Sequence, residues 1–268
     1  MSGEVLLRAG EQGVVHVTLR HAGRLNAMSR AMWRQLRAVF EDIQGQGTAV
    51  RCVLVAGEGD AFCAGGDISE YPGFRFDPAA LRDFHENDVW GGLNAMLACD
   101  APVVAQISGA CMGAGVEIAS CCDIRIAGSS ARFGAPIAKL GFPMAPREAQ
   151  LVAAAVGDTV ARQMLLEAAT FSATDMHQRG FVSRVVPDDA VAAEALASAQ
   201  RVAALAPEAA RMNKSTFRAL KVPKVPDGPS SIAIKTIAVD AQDPYAYASS
   251  AEHREGIAAF LEKRKPMF

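Results

Sequence analysis

Pro102-Val-Val-Ala-Gln-Ile107 runs straight into Ser108-Gly-Ala-Cys-Met-Gly-Ala-Gly115, and then into Val116-Glu117-Ile118-Ala119. A short, nearly continuous apolar run reads as a strand covered on both faces. The small-residue turn after it opens a helical pattern whose first turn carries Glu117. About fifty residues earlier the same order appears: Arg51-Cys-Val-Leu-Val-Ala56, a turn cluster at Gly57-Glu-Gly-Asp60, and then Ala61-Phe-Cys-Ala-Gly-Gly-Asp-Ile68. Recurrence without matching sequence predicts an α/β fold assembled from structurally repeated units.

Further strands are predicted at 14–19 and 123–127, and another at 181–186, closed by Pro187. Ser29 is the expected N-cap of a helix with Met32, Leu36, Val39, Phe40 and Ile43 on one face. Ser172-Ala-Thr-Asp175 reads as a capping box whose helix stops at Gly180. From Asp189 onward the chain is Ala-rich and helical in pattern, with its one conspicuous break in the three-proline stretch 221–229. The expected organisation is a core over 1–200 and a helical region over 201–268.

The composition removes several classes of function. Lys and Arg total 27 against 29 Asp and Glu, so there is no dense basic face for nucleic acid. No apolar run is long enough to span a bilayer. The N-terminal stretch carries Glu4 and lacks the apolar core of a secretory signal. Six cysteines (Cys52, Cys63, Cys99, Cys111, Cys121 and Cys122) show neither CxxC nor zinc-finger spacing. They read as small buried hydrophobes in a reducing cytoplasm.

Two glycine-rich turns, each following a buried strand, leave backbone N–H groups unpaired where a ligand can approach. Facing each other, they could aim two donors at one developing oxyanion, with Glu117 as a carboxylate beside it. Each piece alone has a plainer explanation: tight packing for the glycines, and the helix dipole for Glu117. A dinucleotide fingerprint fails because its third small position falls on Ile118. A phosphate-binding P-loop fails because no Lys-Ser/Thr follows either turn.

Taken together and in order, these segments resemble the enoyl-CoA hydratase/isomerase (crotonase) superfamily over essentially the whole chain. The stretch ending Arg24-Leu-Asn-Ala-Met28 looks like that family's first CoA-contacting loop, and Phe62-Cys-Ala-Gly-Gly-Asp-Ile68 like its AGxD segment. Residues 107–117, continuing through Cys122-Asp123, look like the second oxyanion segment; residues 171–186 and 255–266 are also typical. The resemblance implies a crotonase-like spiral of ββα units with a C-terminal helical trimerisation region. It implies an acyl-CoA thioester as substrate, a homotrimer or dimer of trimers, and no cofactor beyond the CoA of the substrate. The thioester carbonyl would lie between the N–H groups of Ala64 and Ala114, with Glu117 as the acid/base. Arg24, Ala27, Gly65, Gly66, Asp67, Ile68 and Gly113 would contact substrate, with Lys263 at the CoA phosphates and Phe260 by the adenine.

One position departs from the pattern. The family's hydratases carry a second Glu just after Phe-Gly-x-Pro; here that segment is Phe133-Gly-Ala-Pro136 and the next residue is Ile137. Isoleucine neither holds water nor moves a proton. Glu148 would replace it only if an altered helix start redirects its side chain, while Asp83, His85 and Glu86 read as ordinary solvated side chains. Hydration is the expected reaction. Double-bond isomerisation, decarboxylation, thioester hydrolysis and non-catalytic acyl-CoA binding stay open, and residues 71–90 are expected to shape the acyl pocket.

Overall fold

The computed structural model describes residues 3–220 and 250–268, so the three-proline stretch lies outside the described residues. Strand β1 (Glu4–Ala9) folds back antiparallel on β2 (Val14–Arg20), and helix α1 (Arg30–Gly45) leads to β3 (Cys52–Gly57), parallel to β2. Next come α2 (Pro78–Asp83), one π-helical turn (Phe84–Val89) and α3 (Trp90–Ala98), followed by β4 (Val103–Ile107), parallel to β3. A short β5 (Ala110–Met112) leaves this sheet before α4 (Ala114–Cys121) returns the chain to β6 (Ile124–Gly128) beside β4. β7 (Arg132–Gly134), α5 (Pro146–Val156), α6 (Asp158–Leu166), β8 (Thr170–Ser172), α7 (Ala173–Gln178) and β9 (Arg184–Val186) follow. The last described elements are α8 (Val191–Ala203), α9 (Pro207–Leu220) and α10 (Ala251–Leu261).

Six strands form one sheet in the order β1-β2-β3-β4-β6-β9, and β5-β7-β8 form a second. The apolar runs at β3 and β4 exist because both faces of the large sheet are covered. Val53, Val55, Val103 and Ala105 pack with Trp33, Leu36 and Phe40 of α1 and Leu93 and Met96 of α3. The alternate residues Cys52, Leu54 and Val104 pack with Val191, Ala195 and Ala199 of α8. Each fully buried large side chain here contributes about 2 kcal/mol. Ser29 caps α1 by accepting from the Met32 N–H, and the capping box at Ser172 and Asp175 is formed.

Two expectations shift. The strand expected at 181–186 begins only at Arg184, because the N–H groups of Phe181 and Val182 both donate to the Met176 carbonyl and close α7. The Ala-rich stretch from Asp189 onward is also broken at 204–206, ahead of Pro207 at the start of α9. That helix is tied to the core: Lys214 donates to the Ala101 carbonyl at 2.8 Å and pairs with Asp123 at 2.9 Å, and Arg218 pairs with Asp100 at 2.6 Å.

Candidate active site

The two glycine-rich turns are stitched side by side. The Phe62 N–H donates to the Ser108 carbonyl, the Cys63 N–H to Ala110, and the Met112 N–H to Cys63, all within 2.9 Å. Gly115 seats α4 on the first turn, where a Cβ would come within 2.5 Å of the Cys63 carbonyl oxygen. Gly115→Ala is therefore expected to cost about 1–3 kcal/mol of overpacking, read as a lower urea midpoint. Burial pushes the Cys63 thiol up to about 12 and Cys111 well above its ordinary value. Both are fillers between the turns, not nucleophiles.

Backbone directions correct one expectation about the donors. The Ala64 N–H is already committed, donating to the Leu25 carbonyl at 3.0 Å. Leu25 itself adopts φ 46°, a left-handed conformation that is costly for a branched residue. Asn26 holds this loop by donating to the Glu58 and Ala61 carbonyls. One residue beyond Ala64, the Gly65 carbonyl accepts from the Met28 N–H at 2.8 Å. In a trans peptide the C=O and N–H point opposite ways, so the Gly66 N–H is turned away from Met28. It has no backbone acceptor among the described residues. The Ala114 N–H, at the first position of α4, likewise has none. Gly66 and Ala114 both line one pocket of about 350 Å³.

Glu117 lines the same pocket, one helical turn into α4. It is half-buried, opening only where the pocket does, and burial together with the Glu148 charge pushes its carboxyl up to about 8. Glu148 is itself only 3% exposed. Pro146 fixes the start of α5, so that Glu148 falls in its first turn and accepts a hydrogen bond from, or pairs with, His85 Nδ1 at 3.2 Å. His85 projects from the π-helical turn, a local widening that recurs at functional sites. Asp83 and Glu86 are exposed to solvent, whereas His85 lines the pocket with Glu148. Asp83 pairs with Arg30 and Glu86 with Arg147, outside the pocket lining.

The enoyl-CoA hydratase/isomerase family profile matches residues 9–268 of the chain. The chain belongs to that family. A "probable enoyl-CoA hydratase" of Mycobacterium bovis is 30% identical over 268 residues, covering 100% of this chain and 99% of the relative. The structure of an enoyl-CoA hydratase/carnithine racemase from Magnetospirillum magneticum superposes with a TM-score of 0.88 at 35% identity, covering 98% of this chain and 94% of the other. An enoyl-CoA hydratase from Bacillus anthracis superposes with a TM-score of 0.87 at 25% identity, over 99% and 98% of the two chains. The fold is the crotonase fold, and the protein is an acyl-CoA enzyme of the enoyl-CoA hydratase type.

Against the family pattern, Ile137 does line the pocket and is apolar there, and Glu148 brings the second carboxylate from another direction. Gly65, Ile68 and Gly113 also line it. Arg24 and Asp67 lie in an adjoining cleft, paired with each other at 3.4 Å. Asp67 also caps the next turn by accepting from the Ser69 N–H and hydroxyl. Ala27 is buried behind them, its carbonyl 2.7 Å from His21 Nδ1. Phe260 and Lys263, in and just after α10, do not line the pocket, and Phe260 is 82% exposed. The segment 71–90, expected to shape the pocket, contributes Tyr71, Arg75, Phe84, His85 and Val89 to its lining, and the Tyr71 hydroxyl occupies the space a methyl on Gly66 would need. Arg75 stands beside Tyr71 there.

Proposed function

We propose that the protein adds water across the double bond of a 2-enoyl-CoA, with Gly66 and Ala114 as the N–H pair on the thioester oxygen. The observation that carries this reading is the convergence of two carboxyls, Glu117 and Glu148, on one pocket. Glu117, held up to about 8, keeps its proton at neutral pH. Glu148, buried against His85, is the partner for water. In the forward step Glu148 takes a proton from water as the hydroxyl oxygen bonds to the β-carbon, and electrons shift onto the thioester oxygen. Collapse of that enolate takes the Glu117 proton onto the α-carbon, giving a 3-hydroxyacyl-CoA. Two positioned carboxyls suit this paired transfer better than the single shuttle that double-bond migration requires.

A mass-spectrometric product screen over crotonyl-, 3-enoyl- and malonyl-CoA tests the reading. Gain of one water by crotonyl-CoA is the expected result. Mass-neutral isomerisation of the 3-enoyl ester alone, or loss of CO₂ from malonyl-CoA alone, would replace it. The free-enzyme profile of kcat/KM against pH is expected to show an ionisation near 8. Glu148→Gln removes a negative neighbour, so this ionisation moves to lower pH, and kcat falls by about 10²-fold. An unmoved profile would detach Glu148 from the site.

For assembly we infer a trimer or a pair of trimers. The reading is supported by the exposed apolar side chains Phe217, Leu220, Ile257, Phe260 and Leu261 on α9 and α10; light scattering of the purified chain tests it. Six free, buried thiols favour a reducing compartment such as the cytoplasm.

A further inference from the structure

The arginines around the pocket differ in one respect. Arg24 pairs with Asp67, Arg30 and Arg34 with Asp88, and Arg147 with Glu86, each within 3.4 Å. Arg75 has no carboxylate within ion-pair distance among the described residues, although Glu117 and Glu148 line the same pocket. Its guanidinium carbon sits 3.5 Å from the centre of the Phe142 ring and 4.6 Å from that of Tyr71. Aromatic faces hold a guanidinium in place and leave its N–H edge unused. Partial burial strips water from this cation, which lowers its affinity for its own proton. A half-buried guanidinium without a counter-ion is costly in the free protein, and the cost is relieved when a ligand brings an anion.

Resting on the acyl-CoA reading of this pocket, we propose that Arg75 is a specificity residue for acyl groups that carry a carboxylate on their far end. Such a carboxylate accepts two parallel N–H bonds from the guanidinium edge, and the thioester oxygen meets Gly66 and Ala114. Arg24, the implied CoA-phosphate contact, stands in the adjoining cleft, so Arg75 is not needed there. The preferred substrates are then half-thioesters of unsaturated dicarboxylic acids, not plain fatty acyl thioesters.

Binding of saturated esters, which cannot react, tests this separately from turnover. Calorimetry would compare glutaryl-, adipyl- and suberyl-CoA with pentanoyl-, hexanoyl- and octanoyl-CoA on the wild-type protein. At least one dicarboxylic ester is expected to bind tenfold or more tightly than its neutral counterpart. Arg75→Met should abolish that difference and leave the neutral esters unchanged, while Arg75→Lys should keep part of it. No preference in any wild-type pair overturns the proposal, whether or not the variants fold. Equal weakening of both series by Arg75→Met also overturns it, and assigns Arg75 to CoA or to packing. A retained preference without hydration would overturn the proposed reaction and leave Arg75 in its role.

Discussion

Glu117→Gln is expected to lower kcat by about 10²–10⁴, with the affinity for a saturated acyl-CoA nearly unchanged. Glutamine keeps the length, the shape and one oxygen acceptor of the side chain, so the pocket wall survives. What it loses is the proton that the α-carbon must receive. The loss falls on the transition state and not on substrate binding, so kcat and kcat/KM drop together. Steady-state kinetics on the hydrated product, with calorimetry on a saturated ester, separate the two effects. Retained turnover in the glutamine variant would remove Glu117 from the mechanism.

The same substitution has a consequence for stability, with a definite sign. Burial raises the Glu117 carboxyl from about 4.5 to about 8 in the fold, and the Glu148 charge adds to it. The folded chain therefore binds this proton more tightly than the unfolded chain. The stabilisation is complete below about pH 4.5 and is lost as pH rises to about 8. Above that the fold carries a buried charge, which glutamine avoids. Glu117→Gln is accordingly expected to melt higher than wild type at pH 9, with the gap shrinking towards pH 5. The acid that serves catalysis is thus held at a cost to the alkaline stability of the protein.

Much of this was open to reading in the sequence, for identifiable reasons. Strands β3 and β4 announce themselves because both faces are buried, which forces an unbroken apolar run. Glu117 is legible because a glycine turn fixes the start of its helix. Strands β5, β7 and β8 are three residues each, too short to carry a period of two. Identities alone also conceal the direction of a peptide plane: Ala64 and Gly66 both look suitable as donors until Leu25 is seen to occupy the first. Glu148 and His85 lie 63 residues apart and meet only through the starts of two separate helical segments. An arginine without a carboxylate partner among the described residues, such as Arg75, leaves no mark on the sequence at all, since every arginine looks alike until its surroundings are known.

Ala114→Pro should separate the oxyanion donors from the rest of the fold. Residue 114 is the first helical position of α4, where proline fits the backbone and its missing N–H breaks no intrahelical bond. Gly113, at φ 48° and ψ −110°, lies outside the helical region, which is the region that a following proline disfavours. The substitution therefore deletes one N–H aimed into the pocket while Glu117, one turn further on, keeps its place. Loss of one such donor is expected to cost about 10²–10³ in kcat, with circular dichroism unchanged. Wild-type turnover in this variant would show that the Ala114 N–H is not on the thioester oxygen. Adding Glu117→Gln to it is expected to cost much less than the product of the two single losses. Both groups act on the same enolate, and once it is no longer stabilised there is little for a well-placed proton to capture.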